Sequence, residues 1–100
     1  LWWDDHRVYT HAGVNETHEL TDQVEAVTQW FRYPKGADVG YRGRHVVHGH
    51  TPNANGPELF ENRTNMDTGA VFTGRLVVGV FEDATPGGPV NLIEISGATQ

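Results

Sequence analysis

The stretch VVHGHTP, residues 46–52, places two histidines on either side of a glycine at the end of a short apolar run. Its β-branched residues indicate a strand, and the glycine allows a sharp turn and the close approach of a ligand. The stretch RVYTHAG, residues 7–13, repeats the pattern of a strand, a histidine at its C-terminal end and a glycine. Functional sites of α/β sheets assemble at the C-terminal ends of neighbouring strands. Together the two stretches predict an α/β (α+β) domain with histidines at one sheet edge.

Composition narrows the class of protein. The 100 residues are enough for one small domain, and 13 acidic against 7 basic residues give a net charge of −6, which argues against nucleic-acid binding. The absence of cysteine excludes disulfides and thiolate metal sites, so a transition metal must use His, Asp, Glu or Asn ligands. No apolar stretch is long enough to cross a membrane, and no leader peptide is visible. We therefore predict a cytoplasmic protein that binds neither membrane nor nucleic acid.

Periodicity predicts a helix over residues 22–32, with Thr21 as its N-cap and Pro34 beyond its end. One face of this helix carries Val24, Val27, Thr28 and Phe31. Strands are predicted near residues 7–11, 45–49, 75–82 and 89–95. The last two are joined by ATPGG, a typical hairpin connection. The stretch MDTGAVFTG, residues 66–74, is interpreted as a further apolar strand and turn. The pattern is strand-rich, especially in its second half.

Three of the six histidines, His11, His48 and His50, fall at predicted strand ends. Imidazole is the commonest nitrogen ligand for divalent transition metals, so two strand ends could direct two rings at one ion. We interpret the remaining three as ordinary surface or capping groups, because an isolated histidine usually has that role. These are His6, His18 and His45.

Four motifs occur in a fixed order. They are THAG at 10–13, Trp30-Phe31-Arg32 on the predicted helix, VVHGHTP at 46–52 and RTNMDTGAVFTGRL at 63–76. In this order they resemble the C-terminal half of a bacterial metallophosphoesterase of the calcineurin-like superfamily. The nearest branch is the serine/threonine protein phosphatase type shared by bacteria and phages. The resemblance extends from about residue 7 to residue 95.

The resemblance implies a dinuclear centre of two divalent ions (Mn, Fe or Zn) on the strand ends of a β-sandwich flanked by helices. It assigns His11 and His50 as ligands of the second metal and Arg32 as the residue that binds the substrate phosphate, a role for which a guanidinium is well shaped. We expect Arg32 to border the same cleft as the two histidines. His48 matches no ligand position, and we interpret it as an ordinary residue or as a hydrogen-bonding support of His50. Asp67 is interpreted as a turn-forming or supporting carboxylate.

The chain also departs from that family. The family's first half supplies an Asp-x-His, a Gly-Asp-x-x-Asp-Arg-Gly and a Gly-Asn-His, whereas this chain contains no Gly-Asp and no Asn-His. Two imidazoles alone do not complete a catalytic site, which normally has three protein ligands. We therefore predict that residues 1–100 are the C-terminal part of a metallophosphoesterase domain. The N-terminal metal-binding half of that domain would lie outside these hundred residues, and the chain alone would be inactive.

For the intact enzyme, the resemblance implies hydrolysis of a phosphate ester. Two ions roughly 3.5–4 Å apart hold the phosphate and lower the pKa of a water molecule, which then attacks phosphorus. A phosphorylated protein is the first choice of substrate, and a dinucleoside polyphosphate or another small phosphate ester is the alternative. A non-catalytic binding module is the hypothesis from a different class.

Overall fold

The computed structural model describes residues 1–95. They form seven strands, arranged in two sheets, and two short α-helices. The elements are β1 (Trp2–Trp3), β2 (Arg7–Tyr9), a 3-10 turn (Leu20–Asp22), α1 (Glu25–Trp30), β3 (His45–His48), β4 (Glu58–Leu59), β5 (Arg63–Asn65), α2 (Ala70–Thr73), β6 (Leu76–Val80) and β7 (Asn91–Ile95). The fold is α+β with strands in the majority, as the sequence predicted. No helix within residues 1–95 is long and apolar enough to cross a membrane.

The larger sheet has the strand order β1-β2-β3-β5-β4. Its three central strands, β2, β3 and β5, are parallel, and the two short outer strands are antiparallel to their neighbours. Tyr9 pairs with Val47, and Val47 pairs with Thr64. The pairing continues beyond β2, because the amide of Gly49 donates to the carbonyl of His11 over 2.8 Å. Parallel pairing therefore brings the C-terminal ends of β2 and β3 to the same edge.

One face of this sheet forms the apolar core. Val8 and Val46 are fully buried there and pack with Val14, Tyr41 and the half-buried Leu20. The hydroxyl of Tyr41 donates to the carbonyl of His18. The long connection between β2 and β3, which carries α1, thus covers this face and fixes where α1 lies.

The second sheet is the predicted hairpin, with β6 and β7 each slightly shorter than expected. Arg7, which is fully buried, holds the connection between the two strands. Its Nε donates to the carbonyl of Gly87 over 2.7 Å, its Nη1 to that of Glu82 over 3.1 Å, and its Nη2 to that of Thr85. These three carbonyls replace the water that a buried guanidinium would lose, so Arg7 attaches the hairpin connection to β2.

Helix α1 is shorter than the predicted 22–32, and the prediction of Thr21 as its N-cap is wrong. Thr21 belongs to the separate 3-10 turn, and Val24 precedes the helix. The two segments are separated at Gln23, whose backbone is extended. The side chain of Gln23 accepts from the amide of Asn15 over 2.7 Å and donates to its carbonyl over 2.9 Å. This pair of bonds holds Gln23 out of a continuous helix.

The predicted strand within residues 66–74 is also wrong, because residues 70–73 form the helical turn α2. Gly69 and Gly74 border α2 and both have positive φ, 66° and 70°. The left-handed region is readily accessible to glycine. The apolar side chains of Val71 and Phe72 are almost fully exposed, so burial did not select their conformation. The glycines at both ends explain why an apolar stretch became a turn of helix.

Candidate metal centre

His11 and His50 lie side by side at the ends of β2 and β3. Their ring centroids are 5.1 Å apart, with the ring planes inclined at 48°. The hydrogen bond from Gly49 to the carbonyl of His11 joins the two segments immediately beside the rings. Among residues 1–95, neither imidazole makes a hydrogen bond, so the nitrogen lone pairs of both are available. The predicted juxtaposition of these two rings is confirmed.

The backbone of His50 is unusual. Its φ is 64°, in the left-handed region that non-glycine residues seldom adopt. Such a conformation costs on the order of 1–3 kcal/mol and persists where the surrounding structure determines it. Here the left-handed turn directly follows Gly49, and the ring of His50 contacts that of His11. Strain stored at a paired histidine supports a functional role for this position.

Trp30, the last residue of α1, contacts the same ring. Its indole meets the imidazole of His50 edge to face, with centroids 5.7 Å apart and planes at 88°. The indole remains 70% exposed, so this contact is at the surface. Sequence reasoning noted Trp30 only as part of a motif and missed its contact with His50, which depends on where α1 ends.

An open cavity of about 460 Å³ adjoins the two rings. Besides the histidines it is lined by Asp67 and by the apolar side chains of Tyr9, Val47 and Met66. Asp67 accepts the amide of Gly69 through Oδ1 over 2.8 Å, which is the turn-forming role that the sequence predicted. Asp67 thus lines the same cavity as the two rings and stabilises the turn that precedes α2.

His48 lies close in sequence but has a different environment. Its Nδ1 is 2.8 Å from the carbonyl of Gly49, and its Nε2 is 2.8 Å from Nη1 of Arg63. Because arginine can only donate, Nε2 must be the acceptor and Nδ1 must carry the proton. Burial, together with the charge of Arg63, lowers the pKa of His48 to about 4. A neutral ring whose Nε2 already accepts a hydrogen bond is unsuited to metal ligation, which agrees with the sequence-based interpretation.

The remaining candidates lie elsewhere. Arg32 is exposed two residues beyond α1 and is not among the residues that line the cavity, so the predicted position of Arg32 at the border of this cleft is not found. Within residues 1–95 it forms no hydrogen bond or ion pair, so its guanidinium is free to bind a ligand. His45 is buried, with Nδ1 at 2.9 Å from the carbonyl of Glu61 and Nε2 at 2.6 Å from Oγ1 of Thr64. It is therefore a structural residue.

The number of metal-ligating side chains grouped in the described residues is limited. In the described part of the chain, no three His, Cys, Asp or Glu residues are grouped so that they could hold a metal ion. Two imidazoles suit a divalent transition metal as part of its coordination, whereas a catalytic site usually has three protein ligands. A stably bound ion would need further ligands from water or from another polypeptide segment.

No protein-family model matches the chain, and neither a curated protein nor a solved structure matches it. The assignment of a function therefore depends on the four motifs and on the geometry of the histidine pair.

Proposed function

We propose that this chain is the C-terminal part of a metal-dependent phosphoesterase of the calcineurin-like type, in which His11 and His50 share a divalent ion. The observation that carries the proposal is the 5.1 Å separation of the two rings at the ends of adjacent parallel strands. The order of the motifs around these residues supports the same family. A cytoplasmic location stays a prediction.

The residues of the chain have distinct parts in this proposal. His11 and His50 donate nitrogen lone pairs, and Gly49, directly after β3, leaves room beside them. Two divalent ions (Mn, Fe or Zn) would be held jointly by these histidines and by residues of the N-terminal half of the domain. The ions would supply Lewis acidity and a nucleophilic water. Arg32 binds phosphate oxygens through its planar fork. Since the chain holds only part of the donor set, the hundred residues alone bind metal weakly and do not turn over substrate.

The substrate that we favour is a phosphorylated serine or threonine of a protein. The exposure of His11 and of the neighbouring Trp30 supports this choice, because a side chain on a protein surface can reach an open site. A dinucleoside polyphosphate or another small phosphate ester is the alternative substrate. A non-catalytic binding module is the second candidate function, and the lack of a third grouped metal ligand in residues 1–95 favours it.

Metal binding by the isolated chain can be measured through the fluorescence of Trp30. A Co²⁺ ion at the histidine pair would quench the Trp30 indole, which is 5.7 Å from the ring of His50. We expect His50→Ala to abolish the quenching, Trp30→Phe to remove the share that Trp30 contributes beside Trp2 and Trp3, and His18→Ala, at an exposed histidine elsewhere, to leave it unchanged. Equal quenching in His50→Ala would remove His50 from the site.

Activity is tested on the full-length protein and on the hundred-residue chain, with p-nitrophenyl phosphate and Mn²⁺. We expect turnover by the full-length protein only, its loss in His50→Ala, and weaker phosphate binding at unchanged metal content in Arg32→Ala. Rapid turnover by the short chain would show that it contains a complete site. An inactive full-length protein that still binds Co²⁺ would favour the binding module.

A further inference from the structure

A second cavity has a volume of about 410 Å³ and is lined in part by Thr51, the residue after His50. Neither histidine of the candidate metal centre lines it. Its polar lining consists of Tyr33, Lys35, Thr51, Asn53, Glu58 and Arg63. We call it the Arg63 cavity. Two cations and one carboxylate give its lining a net charge of +1, whereas the whole chain carries −6. A positive cavity in an acidic chain is the first indication that it binds an anion.

Arg63 is the buried charge of this cavity, with a relative exposure of 1%. Its guanidinium lies 4.5 Å from the ring centroids of both Tyr33 and Phe60. Nε and Nη2 donate to the carbonyl of Ala37, and Nη1 donates to His48. A guanidinium has five N–H groups, so two remain unused. Within residues 1–95 no carboxylate lies within ion-pair distance of it.

The comparison with Arg7 shows what distinguishes Arg63. Arg7 is equally buried, but its three nitrogens donate to three different carbonyls of the hairpin connection, and it lines none of the described cavities. Arg7 also leaves two N–H groups unused, but no described cavity gives a ligand access to them. Arg63 lines a cavity, so its two unused N–H groups can be offered to a ligand there.

Thr51 supplies a second donor at the same place. Its hydroxyl oxygen is buried and has no hydrogen-bond partner among residues 1–95. Buried hydroxyls are nearly always hydrogen-bonded, so an orphaned one in a cavity lining points to a missing partner. Lys35, on the same lining, adds an exposed positive charge. Glu58 accepts a hydrogen bond from Nδ2 of Asn65 over 2.8 Å, which fixes its position and leaves its negative charge, already counted in the net charge of +1, in place.

We propose that the Arg63 cavity binds an oxyanion, the phosphate or carboxylate group of a small molecule or peptide. Arg63 and Thr51 donate hydrogen bonds to it, and Lys35 attracts it. This site is separate from the phosphoesterase proposal, since it shares no residue with the histidine pair and does not involve Arg32.

The test uses the metal-free hundred-residue chain in nuclear magnetic resonance titrations with inorganic phosphate at constant ionic strength. We expect the amide of Thr51 and the Nε–H of Arg63 to shift with a millimolar dissociation constant. Thr51→Val removes one hydrogen bond and should raise that constant roughly fivefold. Lys35→Gln should raise it about twofold, because the removed charge is exposed. Sodium acetate in place of phosphate distinguishes a site for carboxylates from one for phosphates.

Arg42→Gln, which removes an exposed arginine that does not line the cavity, serves as the matched control and should leave the constant unchanged. Arg63→Lys should weaken binding, and if that variant does not fold, Thr51→Val and Lys35→Gln decide the outcome. Equal affinities in the native chain, Thr51→Val and Lys35→Gln would overturn the proposal. Loss of binding in Arg32→Ala alone would overturn it too, and would assign the phosphate to the phosphoesterase site.

Discussion

Arg63 donates a hydrogen bond from Nη1 to Nε2 of His48 over 2.8 Å, between two side chains that are both almost completely buried. The bond requires a neutral imidazole, because a protonated ring has no acceptor. Protonation of His48 would therefore break this contact and place two positive charges side by side. The pair makes the stability of the fold depend on pH.

The first prediction concerns acid. The pKa of His48 is lowered from 6.5 to about 4 in the fold. Between these two pH values the unfolded chain therefore binds a proton at His48 that the folded chain does not bind. Stability conferred by this difference is complete above pH 6.5 and is lost as the pH falls towards 4, by about 3 kcal/mol at most. Burial also lowers the pKa of His45, which acts with the same sign. Urea denaturation at pH 7.5, 6 and 4.5 measures the loss. His48→Asn should show a clearly smaller pH dependence, and an unchanged one would refute the assignment.

The second prediction concerns Arg7. Replacement by lysine keeps the charge but removes the fork that reaches three carbonyls, leaving buried acceptors unpaired. We expect Arg7→Lys to lower the free energy of unfolding by about 2–4 kcal/mol. Hydrogen exchange should rise in β6 and β7 before it rises in β3. Arg42→Gln is the control, because its ion pair with Glu19 is exposed and contributes under about 1 kcal/mol. Equal losses in the two variants would contradict this role.

The third prediction compares two glycines that flank His11 and His50. A Cβ at Gly13 would lie 2.8 Å from Cδ2 of Phe31 and 3.2 Å from Cε2 of Tyr33, whereas one at Gly49 would lie 3.5 Å from the carbonyl oxygen of His11. We expect Gly13→Ala to destabilise the fold by about 1–3 kcal/mol through overpacking, and Gly49→Ala to cost less than that. Thermal unfolding of both variants gives the comparison, and the reverse order would show that the contact distances do not determine the cost.

The fourth prediction concerns strain at His50. Asparagine tolerates a φ of 64° better than histidine does, so His50→Asn should leave stability unchanged or raise it by up to about 1 kcal/mol. The same variant should lose the quenching of Trp30 by Co²⁺. Denaturation and fluorescence on one sample measure both effects. A variant that is strongly destabilised would mean that the ring of His50 supports the fold rather than a ligand.

The sequence predicted those features that arise from local patterns. The repeated strand–histidine–glycine pattern placed His11 and His50 together because both strands end at the same edge. The sequence analysis missed β5, because Arg63, Thr64 and Asn65 are polar and show no apolar strand pattern. Their burial depends on partners distant in the chain, among them the carbonyl of Thr51, 2.7 Å from Nδ2 of Asn65.

The extent of α1 depends in the same way on a contact outside the helix. The side chain of Gln23 forms hydrogen bonds with the backbone of Asn15, and the periodicity of the helix sequence gives no indication of such bonds. The position of Trp30 against His50 follows from that helix, so it could not be read from the sequence either.

The parallel pairing of β2 with β3 makes the histidine pair an indicator of strand register. Side chains alternate between the two faces of a sheet, so a slip of one residue would move His11 by about 3.3 Å along the strand and turn its ring to the opposite face. The contact between the two rings therefore depends on the exact register of these strands. Insertions in the connection between β2 and β3 that preserve the pairing of Tyr9 with Val47 would leave the distance between the rings unchanged. Lengthening of this connection is confined to its exposed parts, because its residues Val14, Leu20 and Tyr41 pack in the core.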